Sequence, residues 1–278
     1  MNPAATDATF SLTPALPGRT TPLVFASPHS GGLYPDDMAA IEGLSEASLR
    51  SAEDAAVDRL LDGAAAAGAA LIAGRIGRAY VDLNRAPEEL DPALIDGAPA
   101  APPPGLKTLA GYGVLPRLTG DGAPLYDRRL TLEEARARIA RVHEPYHGAL
   151  GDLMQAARDR HGRAVLIDWH SMPSRATGPN GPDVVLGDRH GTSCATSLTR
   201  RLRALFEALG WRVALNRPYA GGYATQVWGR PGEGFEAIQI ELNRRLYWDE
   251  AAGGPSVGWG RCRSGLNRVV AALGDDFA

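Results

Sequence analysis

Short runs of four or five apolar residues recur along this chain, separated by segments with helical spacing or rich in glycine and proline. Runs at 23–26, 70–73, 79–83, 164–167, 183–186 and 211–215 are read as strands, and those at 23–26 and 164–167, apolar throughout, predict strands buried inside a parallel sheet. The stretch 235–244 differs, because Ile238, Ile240 and Leu242 alternate with Gln239, Glu241 and Asn243. That period of two predicts a strand with one apolar and one polar face. Helical spacing predicts helices over 45–67, 131–161, 192–209 and 261–273. Ser45 opens the first, Gly68 stops it, and Leu49, Ala56, Val57, Leu60 and Leu61 supply its apolar face. Thr131 with Glu134 makes a capping-box-like start for the second, and Pro145 inside it predicts a kink or a break.

Strands alternating with helices predict an α/β fold: one domain with a mixed, mostly parallel sheet flanked by helices, spanning 21–278. Residues 1–20 are expected to form an arm, extended or at a sheet edge. The proline-rich stretch 87–104 reads as a long loop excursion, since the α/β pattern resumes after it.

Composition narrows the function classes. An apolar fraction of 44%, a charged fraction of 22% and a net charge of −3 are those of an ordinary globular protein, with no argument for nucleic acid or membrane surfaces. Lys107 is the only lysine. Cys194 and Cys262 form no C-x-x-C and no disulfide framework, so a reducing, cytoplasmic compartment is expected. The N-terminus lacks a signal-peptide pattern, and no apolar run approaches the ~20 residues of a membrane span. P-loop and G-x-G-x-x-G motifs are absent, which removes the usual nucleotide chemistry.

Polar groups gather where predicted strands end. The run 164–167 ends in Asp168-Trp169-His170-Ser171, 23–26 in Ser27-Pro28-His29-Ser30-Gly31-Gly32, and 79–83 in Asp82-Leu83-Asn84-Arg85. In open α/β sheets, ligands bind beyond the carboxyl ends of the strands. His29, Asp54 and His170 are candidate metal ligands, and two imidazoles with one carboxylate suit zinc better than magnesium or calcium. Glu241, not a ligand, is the candidate general base. His143 and His147 stand four apart around Pro145 and are read as structural, since Glu144 does not fit H-E-x-x-H.

Taken together, Ser27-Pro28-His29-Ser30-Gly31, Glu53-Asp54-x-x-Val57-Asp58, Asp82-Leu83-Asn84-Arg85, Asp168-x-His170-Ser171 and Glu241-x-Asn243-Arg244-x-Leu246-Tyr247 resemble the N-formylglutamate amidohydrolase family, from about residue 21 to 273. Gly187-Asp188-x-His190-Gly191 and Pro218-Tyr219-x-Gly221-Gly222-Tyr223 also look like that family's motifs.

The resemblance implies a zinc-peptidase (phosphorylase/hydrolase)-like α/β fold, similar to zinc carboxypeptidases and cell-wall amidases. It implies one Zn2+ per chain on His29 and His170, with Glu241 as general acid/base. Asp54 is taken as the third ligand by its spacing to Val57; Asp58 is the alternative, in which case Asp54 would orient an imidazole. Asp58, Asp82, Asp168 and Ser30 are expected to hold the ligands in place through hydrogen bonds. Arg85 and Arg244 are candidates for binding a substrate carboxylate through the planar guanidinium fork, with Asn84, Asn243 and Tyr223 also at the substrate. The expected reaction is hydrolysis of a small N-acyl amino acid to a carboxylic acid and a free amino acid. A peptide or peptidoglycan amidase and a catalytically silent binding protein on the same scaffold are the alternatives. Residues 224–234 carry Gln226 and Trp228 but no histidine, which leaves the acyl group and amino acid open.

Overall fold

The computed structural model describes residues 9–99 and 103–278; residues 1–8, and 100–102 of the proline-rich excursion, lie outside the described residues. In chain order the strands are β1 (Phe10–Thr13), β2 (Leu23–Ser27), β3 (Ala70–Gly74), β4 (Ile95–Asp96), β5 (Leu130–Thr131), β6 (Ala164–Met172), β7 (Val184–Gly187), β8 (Val213–Leu215), β9 (Phe235–Asn243), β10 (Trp248–Asp249) and β11 (Gly254–Pro255). Seven of them form one mixed sheet in the order β1-β3-β2-β6-β9-β7-β8, with β1 at an edge. β2 pairs in parallel with β3 and β6, β6 with β9, and β7 with β8, whereas β7 runs antiparallel to β9. The chain is α/β with a mostly parallel sheet and flanking helices.

By contact density the chain divides into two compact units. The larger comprises 12–28, 54–73 and 150–278, and holds most of the sheet. Its apolar face joins Leu23 and Phe25 of β2, Ile167 and Trp169 of β6, and Ile238, Ile240 and Leu242 of β9. Helix α5 (Thr196–Glu207) covers it with Leu198, Leu202 and Phe206, and α7 (Trp259–Asp276) with Leu266, Val269, Val270 and Leu273. The Trp169 ring stands edge-on to Phe25 at 5.8 Å and to Phe206 at 6.5 Å. Such large apolar side chains each contribute ~1.5–3 kcal/mol on burial.

Of the described residues, the smaller unit comprises 9–11, 29–53, 74–99 and 103–149. Here the second predicted helix opens as expected. Thr131 caps α3 (Leu132–Arg138) in a reciprocal box with Glu134, and a π-helical turn (Ile139–His143) precedes α4 (Glu144–His161). Pro145 has no N–H to give and its ring crowds the carbonyl four residues back, so the helix widens there.

Several sequence expectations are corrected. The predicted helix 45–67 is only α1 (Glu46–Leu49) and two 3-10 turns, with Glu53 extended and Ala56 left-handed at φ 58 between them. Val57, Leu60, Leu61 and Ala64 still reach the core, so the apolar spacing was real although the helix is not continuous. The run 79–83 is buried but is no strand: Tyr80 N–H bonds to Gly77 and Asp82 N–H to Val114. β6 does not stop at Ile167 but runs on through His170 to Met172. The predicted helix 192–209 begins only at Thr196, and a further helix, α6 (Tyr223–Trp228), forms where no element is predicted. No helix among the described residues is long and apolar enough to cross a membrane.

Candidate active site

The register of β6 and β9 sets Asp168 opposite Gln239 and His170 opposite Glu241. Opposed residues share a sheet face, so these four polar groups stand on the side away from Trp169 and Ile240. A strand buried on both faces thus carries its chemistry on one of them, and the polar half of the alternation 238–243 is the signal for it.

His170 is buried with a carboxylate at each ring nitrogen. Nδ1 lies 3.0 Å from Asp54 Oδ2 and Nε2 lies 3.0 Å from Asp168 Oδ2. Burial by itself would lower its proton affinity; Asp168 and Asp54 overcome that and hold His170 well above the usual histidine range. Asp168 is fully buried, and apart from the His170 ring neither of its oxygens has a hydrogen-bond partner among the described residues. Asp54 is reached because the chain leaves helix α1 before it. Its Oδ1 accepts the Ser171 hydroxyl at 3.0 Å and lies 3.6 Å from Arg244 Nη2, while Arg244 Nε donates to Ser171 Oγ at 3.1 Å.

His29 follows β2 directly, and its Nε2 lies 2.8 Å from Asp82 Oδ1. Asp82 also accepts from Arg78 Nε at 2.9 Å and from the Asn84 backbone N–H at 2.9 Å. Burial would raise the Asp82 carboxyl, but Arg78 and His29 hold it well below the usual carboxylate range. With a lasting negative charge, Asp82 fixes the orientation of the His29 ring.

His29, Asp54 and His170, all buried, each offer a ligand atom, and these atoms lie within 4.8 Å of one another. This group could hold a metal ion. Asp58, the alternative to Asp54, opens a 3-10 turn and is not in the group. Each imidazole has its Nε2 on a carboxylate, Asp82 for His29 and Asp168 for His170, the arrangement that orients metal-binding histidines in general.

The other expected residues divide. Glu241 is buried, with Oε1 accepting from Gln239 Nε2 at 2.8 Å. Arg85 stands 3.8 Å from both Asp82 and Glu89, and its Nε has no hydrogen-bond partner among the described residues. Arg244 is buried and committed to Ser171 and the Asp54 carboxylate. Asn243 is a structural anchor: fully buried, it gives its amide to Thr177 and Pro182 and accepts from the Arg245 N–H. Tyr223 begins α6 and Ser30 follows His29, both half-buried. Gln239, Ser171 and Arg78, which touch the key carboxylates, are not singled out by the sequence. Gln239 was marked only by its place on the polar face of β9. In the 187–191 motif, Asp188 accepts from Gly191 N–H, Asn216 and Thr199, holding a turn in which Arg189, His190 and Gly191 are all left-handed.

Residues 21–248 match the profile of a family described as N-formylglutamate amidohydrolase. The chain is 32% identical over 238 residues to the N-formylglutamate deformylase of Pseudomonas aeruginosa, covering 83% of this chain and 84% of that one. Its identity to the N-formylglutamate deformylase of Pseudomonas putida is 32% over 237 residues, or 82% of each chain. The crystal structure of N-formylglutamate amidohydrolase from Ralstonia eutropha JMP134 is 35% identical and superposes with a TM-score of 0.91, covering 97% of this chain and 98% of that one.

Proposed function

The chain belongs to the N-formylglutamate amidohydrolase family and is an amidohydrolase, and from that premise we propose that it is a zinc enzyme hydrolysing N-formylglutamate or a closely related N-acyl amino acid. One zinc per chain would be held by His29, Asp54 and His170, and Glu241 would move the proton. The observation that carries this reading is the buried group of two imidazoles and one carboxylate within 4.8 Å.

The donor set fits the ion. Two nitrogen donors and one oxygen donor leave a position open, as catalytic zinc sites do. The two buried carboxylates on His170 are balanced by Arg244 at Asp54 and by one further positive charge, a proton on the imidazole or a bound cation. Asp168, whose polar contact is to the His170 Nε2, would hold that imidazole toward a cation. When bound, zinc polarises an amide carbonyl and makes water acidic near neutral pH.

The chain's own residues supply the rest. Glu241 accepts a proton from the attacking water and returns it to the departing nitrogen, so that the amide and water become a carboxylic acid and a free amine. Gln239 steadies the Glu241 carboxylate through its 2.8 Å hydrogen bond. Arg85, whose Nε makes no hydrogen bond and whose ion pairs to Asp82 and Glu89 are long at 3.8 Å, is assigned to hold a substrate carboxylate, with Asn84 beside it. Arg244 neutralises Asp54 and fixes it through Ser171. Asn243 supports the 174–182 loop and stands outside the substrate set.

Purified protein tests the reading directly. It should contain one zinc per chain and release formate from N-formyl-L-glutamate, lose that activity on chelation, and regain it with added zinc. Hydrolysis at an undiminished rate in protein stripped of metal would contradict it.

A further inference from the structure

We propose that His143 and His147 are positioning residues that clamp the backbone of Leu83 and Arg85 and so set where the Arg85 guanidinium and the Asp82 carboxylate stand. The inference rests on the reading of Arg85 as the holder of the substrate carboxylate.

The two histidines are four residues apart, His143 closing the π-helical turn and His147 one turn on in α4. Their rings lie against each other, centroids 4.3 Å apart at 37°. His143 Nε2 is 2.9 Å from the Arg85 carbonyl oxygen and His147 Nε2 is 2.8 Å from the Leu83 carbonyl oxygen. A carbonyl only accepts, so both histidines donate from Nε2. The tilted, closely spaced pair thereby captures two carbonyls two residues apart.

Residues 82–85 need such support. They lie outside any helix or strand, so no regular ladder bonds their carbonyls, and an unmet buried carbonyl is costly. The N–H groups are held separately: Asp82 N–H by Val114, and Asn84 N–H by the Asp82 side chain. With the clamp, every residue from Asp82 to Arg85 is fixed by a backbone bond. The segment carries the partner of His29 and the two residues read as gripping substrate, so its exact course matters more than that of an ordinary loop.

The support behind the histidines is rigid. Tyr146 stands edge-on to His147 at 5.2 Å, and Phe10 edge-on to Tyr146 at 6.2 Å. Burial pushes His143 below the usual histidine range, so it donates as a neutral ring at neutral pH. The widened turn before Pro145 sets the phase at which both rings meet the segment. π-Turns of this kind are frequent at functional sites.

The test uses the zinc-loaded full chain. His143→Leu and His147→Leu remove the donors, whereas His143→Gln and His147→Gln keep an N–H at a similar reach. In the leucine variants, kcat/KM for N-formyl-L-glutamate should fall about 10- to 100-fold, mainly through KM, as expected when a binding group is displaced by about 1 Å. Amide exchange in the peptide spanning 80–90 should accelerate. The glutamine variants should recover both. In an Arg85→Ala background the leucine substitutions should add little, because the group they position is gone. Unchanged KM and exchange in folded leucine variants, or equal losses with and without Arg85, would overturn the clamp while leaving the enzyme reading intact. Faster exchange, reversed by glutamine, in a wild-type protein that does not cleave N-formyl-L-glutamate would support the clamp and overturn the substrate reading.

Discussion

At His170 each ring nitrogen meets a carboxylate at 3.0 Å, and the imidazole is buried. Such a ring is stable only beside a positive charge, a proton or a metal ion. The same reasoning separates the two acids of the 53–58 segment. Asp54 touches His170 and Ser171, whereas Asp58 opens a turn outside that group. Asp54→Asn should therefore strip zinc and abolish hydrolysis, while Asp58→Asn should keep one zinc and lose less than ~10-fold in activity, the lower limit for a ligand-orienting group. Metal analysis beside kinetics on both variants decides; a metal-free Asp58→Asn protein with a normally loaded Asp54→Asn would reverse the assignment. Helical periodicity alone does not separate the two acids, because a continuous helix would place them on one face; the spacing to Val57 in the family resemblance is what favours Asp54. In the fold, the extended Glu53 and the left-handed Ala56 separate them.

At the scale of elements, legibility followed burial more closely than hydrogen bonding. β2, β3 and the 164–167 start of β6 are readable because strands buried in a parallel sheet are apolar on both sides, and β9 because its apolar and polar positions alternate. The run 79–83 has the same composition for a different reason: it is buried as a turn whose backbone is satisfied by Val114 and by side chains. The polar end of the 164–167 run read as a loop because Asp, His and Ser are rare inside strands, yet β6 runs through them with its polar residues facing the candidate site. Start signals fared better, since a cap is chemically specific. Thr131 Oγ1 accepts from Glu134 N–H at 3.1 Å, and Glu134 accepts back from Thr131 N–H at 2.7 Å. Thr131→Ala should cost about 1 kcal/mol in chemical denaturation; an unchanged midpoint would mean that the box does not hold α3. Arg128 and the Thr131 N–H pull the Glu134 carboxyl down to about 2. Because its folded value lies below its unfolded one, its contribution is complete above the unfolded value and is lost as pH falls toward about 2. The wild-type advantage over Glu134→Gln should shrink across that acidic window and stay constant near neutrality.

At the scale of the whole molecule, one face of β6 and β9 packs in the core and the other carries the polar residues read as the candidate site. Ile238, Ile240 and Leu242 of β9 pack with α5 and α7, and Gln239 and Glu241 alternate with them on the opposite face beside Asp168 and His170. This division lets Glu241 change without disturbing the packed side. Glu241→Gln is nearly isosteric, keeps a polar partner for Gln239, and removes only the ability to take and return a proton. The decisive measurement is kcat for N-formyl-L-glutamate with Glu241→Gln protein shown to be folded and to carry one zinc per chain. The account predicts a fall of ~10²–10⁴-fold in kcat with little change in KM, as for loss of a general acid/base. A fully metallated Glu241→Gln enzyme with wild-type kcat would contradict it.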